Sequence, residues 1–161
     1  MTSVVVAGAS GFMGRRLVAE RRRSGEDVRT IGRAGADAAW GDTTAITRLL
    51  DGADLLVNLA GRSVNCRYTP ANRAEIVRSR VETTAELGRA VAAAAAPPPL
   101  WINSSTATIY RHADDRPMTE AAGGLGEGFS VDVAKAWERA FFEPGLPGVR
   151  RIALRLSLIH I

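Results

Sequence analysis

Short apolar runs alternate along this chain with stretches in which apolar residues recur every three or four positions. The run at 3–7 is β-branched and uninterrupted, which is typical of a central parallel strand buried on both faces. Between 12 and 24 the apolar residues instead follow helical spacing. The same alternation predicts strands at 3–7, 28–31, 38–40, 55–59, 100–102 and 151–156, and helices at 12–24, 43–50, 71–96 and 131–142.

This order of elements predicts the α/β class, with a doubly wound parallel sheet of about six strands and helices on both faces. Right-handed crossovers leave few other ways to pack strands that alternate with helices. Ser24 and Gly25 give a C-cap signal after the first helix, and three prolines at 97–99 stop the long third one. With 161 residues and 46% hydrophobic positions, a single domain over 1–161 is expected.

Composition and charge narrow the class of protein further. The net charge is +4, but the 21 basic residues are interleaved with 17 acidic ones, so we expect no nucleic-acid partner. No apolar run reaches membrane length, and no signal peptide precedes the first strand, so a cytoplasmic protein is expected. The single cysteine, Cys66, agrees with a reducing compartment. His112 and His160 lack metal-ligand spacing, and no metal site is expected.

Three glycines interrupt the chain between the first strand and the first helix, in the segment 8–14. At this junction the backbone turns sharply, approaches a pyrophosphate closely and packs helix against strand, and glycine permits all three. The N-terminus of the helix would present free N–H groups to the diphosphate. The segment therefore predicts a dinucleotide site, with a merely structural turn as the weaker alternative. Its candidate binding residues are Gly8, Ser10, Gly11, Phe12, Met13 and Gly14.

The end of the second strand indicates which dinucleotide is preferred. An NAD site usually places an acidic residue there, to hold the ribose hydroxyls, but this sequence has Ile31, Gly32 and Arg33. A guanidinium can bind a 2′-phosphate through two hydrogen bonds. Arg33 therefore favours NADP(H), with NAD(H) as the second choice, and a solvated loop arginine is the alternative interpretation.

The glycine spacing Gly-x-x-Gly-x-x-Gly at 8–14 resembles that of the extended, atypical branch of the short-chain dehydrogenase/reductase superfamily, the NAD(P)-dependent epimerase/dehydratase group. Within that branch the chain is most similar to the sugar-nucleotide-epimerase-like family sometimes labelled SulA-like. The resemblance is carried by 58–61, 79–84, 104–110 and 136–138 and covers nearly the whole chain. It implies a Rossmann-like fold.

The resemblance also implies further contacts to the cofactor. Leu59 and Ala60 would line the adenosine side, and Asp42 would meet the adenine. Glu75 and Arg80, on the long helix, match family positions that contact NADP. For these last two residues, a solvated helix face is nearly as good an interpretation, although they are not spaced as an i,i+4 pair.

For catalysis, the resemblance implies that Thr106 hydrogen-bonds the reacting carbonyl. Its usual partners are a Tyr acid/base and a Lys four residues later, which lowers the pKa of the Tyr. The pair is absent here, because Val131 stands four residues before Lys135, and neither Tyr68 nor Tyr110 has a lysine four residues on. Either another group transfers the proton, or the chain does not catalyse this chemistry.

The expected function is an NADP(H)-binding epimerase/dehydratase-like or reductase-like enzyme acting on a sugar nucleotide or another small carbonyl or hydroxyl compound. The alternative is a non-catalytic, NADP(H)-responsive regulator. Extended members carry a substrate domain after the sixth strand, so the chain is expected to be truncated before it. The final residues, 156–161, resemble the translation of a transposon end used in sequencing libraries, and they are expected to be an artefactual tail.

Overall fold

Six parallel strands form one sheet in the structure, a computed structural model that describes residues 1–157. The strands are β1 (Ser3–Ala7), β2 (Asp27–Gly32), β3 (Ala38–Ala39), β4 (Leu55–Asn58), β5 (Leu100–Thr106) and β6 (Arg150–Leu156). Their order across the sheet is β3-β2-β1-β4-β5-β6. The order reverses between β1 and β4, so the connections diverge there and leave a crevice at the carboxyl ends of these two strands.

Four helices connect the strands and cover both faces of the sheet, which confirms the predicted doubly wound α/β class. They are α1 (Phe12–Arg23), α2 (Thr43–Leu50), α3 (Pro70–Ala93) and α4 (Phe129–Phe142), and a short 3-10 turn (Ala107–Ile109) follows β5. Within residues 1–157, no helix is long and apolar enough to cross a membrane.

The larger part of the core lies between the sheet and helices α2, α3 and α4. At its centre the ring of Trp101, on β5, meets that of Phe141, on α4, edge to face, with centroids 4.8 Å apart. Both side chains are fully buried. Aromatic pairs of this geometry add about 0.5–1.5 kcal/mol to the gain from burial. On the opposite face, Val18 of α1 packs against Val4 and Val6 of β1.

Most element boundaries differ from the sequence prediction by one or two residues, and the largest differences are at the ends of β5 and α3. Strand β5 continues past position 102 to Thr106, because each residue of 103–106 pairs with β6. Helix α3 begins at Pro70 and ends at Ala93, with Thr69 as N-cap accepting a hydrogen bond from the Asn72 N–H at 3.2 Å. Hydrophobic periodicity does not give these boundaries, because the second half of β5 is polar and because the alanines after position 93 continue the helical pattern.

The predicted tail at 156–161 overlaps the end of the sheet. Leu156 is the last residue of β6, in register with Thr106. Residues 158–161, including His160, lie outside the described part of the chain.

Candidate cofactor site

Gly8 lies at the end of β1, where the main chain of the β4 end comes unusually close. Its φ is +79°, a left-handed conformation, and a Cβ placed there would be only 2.7 Å from the backbone N of Ala60 and the carbonyl carbon of Leu59. Its own N–H donates to the carbonyl of Ile31 at 3.0 Å. Glycine is therefore required at position 8 on two independent grounds, backbone conformation and space.

Gly11 and Gly14 close the turn into α1. The Gly11 N–H donates to the Gly8 carbonyl at 3.1 Å, and a Cβ on Gly14 would overlap that same carbonyl oxygen. Gly11 is the N-cap and offers no side chain to the first-turn N–H groups of the helix. These donors and the positive end of the helix dipole are therefore free for an anion.

The other predicted residues of this loop surround the helix start. Ser10 is exposed, and Phe12 and Met13 are 76% and 38% exposed. All three side chains are therefore outside the core, at the start of α1.

Leu59 and Ala60 form the second wall of the site, next to Gly8. Their position is fixed by Asn58, whose Oδ1 accepts the Ala60 N–H at 3.0 Å. The Asn58 Nδ2 in turn donates to Oδ1 of Asn103 at 2.7 Å and to Oγ1 of Thr84 at 3.2 Å. A buried polar network thus holds the β4 end against the glycine loop.

Trp137, on α4, completes this network by donating its indole N–H to Oγ1 of Thr84 at 3.0 Å. From the sequence, no individual role was assigned to Trp137, Thr84, Asn58 or Asn103. The available signal was a pair of asparagines, each directly after the apolar residues of one of two neighbouring strands, which the register places side by side. Fully buried side-chain amides of this kind require partners.

The structure places Arg33 and Asp42 at the far end of the crevice, after β2 and β3. Arg33 is exposed directly after β2 and has no ion-pair partner among residues 1–157. Asp42 is the N-cap of α2, and its Oδ1 accepts the Ala45 N–H at 2.9 Å. The neighbouring Gly41 N–H donates at 2.8 Å to Glu86, a buried carboxylate of α3. This acidic partner of the turn was also missed by sequence reasoning.

Glu75 and Arg80 have separate environments on α3. Glu75 pairs with Arg78 at 2.6 Å, on the outer part of the helix. The Arg80 guanidinium instead lies against Gly61, 5.1 Å from the ring centroid of Trp137, and donates to a helix carbonyl. Burial lowers the pKa of Arg80. Arg80 therefore joins the wall formed by residues 59–61, whereas Glu75 is held by its neighbour on the helix.

Thr106 ends β5 beside the same crevice. Its Oγ1 lies 2.7 Å from the hydroxyl of Thr108 and accepts the Thr108 N–H at 3.2 Å. Val131, at the position of the expected Tyr, is buried in α4 and 5% exposed. Lys135 donates to the carbonyl of Gly126 at 3.3 Å. The end of β5 therefore offers a hydroxyl, the Lys135 ammonium binds the Gly126 carbonyl, and position 131 supplies no acid.

An ion pair beneath Thr106 ties together the elements around it. Glu138, on α4, accepts hydrogen bonds from Ser105 at 2.6 Å and from Arg155 at 2.8 and 2.9 Å. Arg155 also donates to the hydroxyl of Tyr110 at 2.7 Å. Burial alone would raise the pKa of Glu138, but these hydrogen bonds outweigh it and the net pKa is lowered. The hydrogen bond to Glu138 raises the pKa of Arg155.

Acidic, histidine and cysteine side chains are the possible metal ligands within residues 1–157. Within the described part of the chain, no group of three or more such residues is arranged to hold a metal ion.

Comparison with known proteins identifies the group to which this fold and site belong. The family model described as "NAD dependent epimerase/dehydratase family" matches residues 4–126. The chain belongs to the NAD dependent epimerase/dehydratase family. This confirms the family-level resemblance, and the matched region includes the glycine loop, the residues 59–61 and Thr106.

Individual epimerase proteins are similar to this chain in sequence and in structure. The epimerase family protein SDR39U1 of Bos taurus is 32% identical over 97% of this chain and 54% of its own length. A crystal structure of human SDR39U1 with NADPH has a TM-score of 0.82 and 27% identity, covering 94% of this chain and 52% of that chain. A nucleoside-diphosphate sugar epimerase from Corynebacterium glutamicum has a TM-score of 0.73 and 28% identity, over 94% of this chain and 33% of that chain. The chain spans about half the length of the curated relative it matches.

Proposed function

We propose that this chain is the NADP(H)-binding part of a reductase-like or epimerase-like enzyme. The observation that carries the proposal is the contact of Gly8 with the main chain of Leu59 and Ala60, next to a helix whose first turn has no side-chain cap. Side chains at positions 8 and 14 would collide with the main chain of residues 59–60 and 8–9, so the glycines allow the tight strand-to-helix turn that places the first N–H groups of α1 toward a diphosphate. The solved relative that contains NADPH supports the same assignment.

The preference for NADP(H) rests on Arg33. Its guanidinium is exposed at the end of β2, where a 2′-phosphate would lie, and the segment 31–33 has no acidic residue to hold ribose hydroxyls. Asp42, Leu59, Ala60 and Arg80 would border the adenosine and diphosphate portions. Glu75 has the weakest support of the proposed contacts, because its carboxylate is already paired with Arg78.

The residues near the carboxyl end of β5 suit a carbonyl or hydroxyl substrate. When bound, the nicotinamide supplies or accepts a hydride. The Thr106 hydroxyl would donate a hydrogen bond to the substrate oxygen, and the Lys135 ammonium would add positive charge nearby. A sugar nucleotide is one such substrate, and the similarity to a nucleoside-diphosphate sugar epimerase supports it.

A non-catalytic, NADP(H)-responsive regulator is the second candidate. The observation that favours it is the buried side chain of Val131, because valine cannot exchange a proton where the family's acid/base pair has its tyrosine. In such a protein, the cofactor would bias a conformation that a partner recognises.

Calorimetric titration with NADPH and NADH tests cofactor binding. We expect NADPH to bind more tightly, and Arg33→Ala to weaken NADPH by roughly 10-fold or more with little effect on NADH, since a charged hydrogen bond contributes about 1.5–3 kcal/mol. Arg48→Ala, at another exposed arginine, is the matched control and should leave both affinities unchanged. Equal affinities of the unaltered protein for the two cofactors would remove the argument from Arg33.

Hydride transfer separates the enzyme from the regulator. Oxidation of NADPH is followed by absorbance in the presence of sugar nucleotides and simple carbonyl compounds. The enzyme proposal is supported if the unaltered protein turns over one of these compounds and if Thr106→Val abolishes turnover but keeps the affinity for NADPH. Tight NADPH binding with no turnover of any compound supports the regulator.

A further inference from the structure

The segment from Gly61 to Ala74 is strongly one-sided in charge. It contains Arg62, Arg67 and Arg73 and no acidic residue, although the chain as a whole has 21 basic and 17 acidic residues. It connects β4 to the first turn of α3. We call the surface made by these three arginines with Tyr68 and Phe129 the arginine surface.

The side chain of Asn72 binds the Arg62 side chain and the Arg67 main chain, and so connects two parts of this segment. The Arg62 guanidinium donates to Oδ1 of Asn72 at 3.0 Å, and Nδ2 of Asn72 donates to the carbonyl of Arg67 at 2.7 Å. The Arg62 N–H is also bound, to the hydroxyl of Ser79 at 2.9 Å. These contacts give the segment a defined conformation on α3.

Two aromatic rings lie within the same surface. The guanidinium carbon of Arg73 is 4.7 Å from the ring centroid of Phe129, at the start of α4. Phe129 in turn meets the ring of Tyr68 edge to face at 5.5 Å. Tyr68 is nevertheless 40% exposed. The surface therefore presents positive charge together with a partly open aromatic edge.

The positive charge of this surface is not neutralised from within the described residues. Arg62, Arg67 and Arg73 form no ion pair within residues 1–157, whereas Arg78, on the same helix α3, pairs with both Glu75 and Glu82. Guanidinium groups without a counter-charge raise the local positive potential of a surface. A bound anion would neutralise that charge and accept hydrogen bonds from the planar donors.

The arginine surface borders the crevice of the proposed cofactor site. Gly61, the first residue of the segment that carries the three arginines, follows Ala60, whose backbone lies against Gly8. Phe129 lies on α4 two residues before Val131, and Val131 occupies the position where the family's acid/base tyrosine is expected. A molecule that contacts the arginine surface would thus lie beside the carboxyl ends of β4 and β5.

We propose that the arginine surface binds the anionic group, a phosphate or a carboxylate, of the small-molecule substrate. This inference rests on the proposed function, because it takes the crevice to be the place of reaction. The arginines would hold the anion, and the edges of Tyr68 and Phe129 would contact the adjoining apolar part of the molecule. The substrate class is then a carbonyl or hydroxyl compound that carries a negative charge.

The test uses the full chain with saturating NADPH present, and it measures binding of inorganic phosphate and of succinate by calorimetry at constant ionic strength. We expect the double variant Arg67→Gln with Arg73→Gln to weaken the preferred anion by at least about 10-fold, from two lost charged hydrogen-bonding groups. The double variant Arg48→Gln with Arg150→Gln removes the same charge from exposed positions elsewhere and should bind like the unaltered protein. Tighter binding of phosphate would indicate a phosphate group on the substrate, and tighter binding of succinate would indicate a carboxylate group.

Several results would overturn the inference. One is equal anion affinity in the two double variants, and another is no anion binding by the unaltered protein. Tighter binding of a single-stranded oligonucleotide, lost on replacing Arg67 and Arg73, would assign the surface to nucleic acid instead. Arg67→Gln alone, at an exposed side chain, gives the same comparison if the double variant does not fold. Failure of NADPH itself to bind contradicts the proposed function, and the anion titration without cofactor then decides the present inference separately.

Discussion

The side-chain amide of Asn58 donates a 2.7 Å hydrogen bond to the side-chain oxygen of Asn103, across the pairing of β4 with β5. Both residues are almost completely buried, and both end the apolar part of their strands. The same Asn58 holds the N–H of Ala60, which lies against Gly8. The geometry of the proposed diphosphate cradle therefore depends on a polar pair inside the sheet.

Replacing Asn58 should damage stability and cofactor binding together. Asn58→Ala leaves the Ala60 N–H and Oδ1 of Asn103 without their partner in a buried region, whereas Thr84 keeps its bond from Trp137. We expect a loss of about 3 kcal/mol in the free energy of unfolding. Denaturant titration measures this loss. Asn65→Ala, at an exposed position, should cost less than about 0.5 kcal/mol. Equal effects of the two substitutions would show that the network contributes nothing.

Gly8 and Gly25 provide a matched pair for the close approach of two backbone segments. Both have a φ of +79°, but a Cβ at Gly25 meets nothing within 4 Å. Gly25→Ala should therefore cost only the strain of a left-handed alanine, about 1 kcal/mol. Gly8→Ala should cost clearly more and reduce NADPH binding at least about 10-fold, because the methyl group enters the space between β1 and residues 59–60. Comparable unfolding curves for the two variants would contradict the close approach.

Arg80 and Arg78 lie on the same helix, but only Arg80 is proposed to contact the cofactor, whereas Arg78 forms a surface ion pair. Substitutions of the two arginines can therefore be compared. We expect Arg80→Met to weaken NADPH by roughly 10-fold, since a partly buried guanidinium with no carboxylate partner within residues 1–157 is available for an anion. Arg78→Met, which removes pairs with Glu75 and Glu82, should leave NADPH affinity unchanged. Calorimetry measures both values. An unchanged affinity in Arg80→Met would restrict Arg80 to packing against Trp137.

Glu138 should contribute to the loss of stability in acid. Its pKa in the folded protein lies below the ordinary value of 4.5, so its contribution is fully present above about pH 4.5 and is lost as the pH falls through the lower, folded value. Unfolding free energies of the unaltered protein and of Glu138→Gln should thus differ at neutral pH and converge in acid. Glu120→Gln, at an exposed carboxylate, should follow the unaltered protein at every pH. Parallel curves for Glu138→Gln and the unaltered protein would exclude the ion pair as the cause.

Local signals made most of the fold predictable from the sequence. Within a short segment, strand β1 is followed by the glycines of 8–14 and then by helix α1. The residues that determine these elements are neighbours in sequence, so their pattern is visible without the fold. The amphipathic pattern of α2 and the proline stop after α3 are local in the same way. Each of these elements is present in the structure at or near its predicted position.

The features that were missed depend on residues distant in sequence. Asn58 and Asn103 are 45 positions apart, and Glu138 meets Ser105 across 33. Periodicity treats the polar residues of 103–105 as the end of a strand, because it does not show that β6 will cover and pair with them. Conversely, the partner of Glu75 was only three positions away, and the resemblance to a cofactor-binding family drew attention from that simple pair.

All three atoms closest to a Cβ at Gly8 belong to the main chain of Leu59 and Ala60. Main-chain atoms are the same whichever amino acids occupy those positions, so exchanging either side chain makes no room there. A genetic screen for second-site suppressors of Gly8→Ala should therefore recover no compensating substitution at position 59 or 60. Side chains around this crevice can therefore change in evolution, whereas position 8 accepts only glycine.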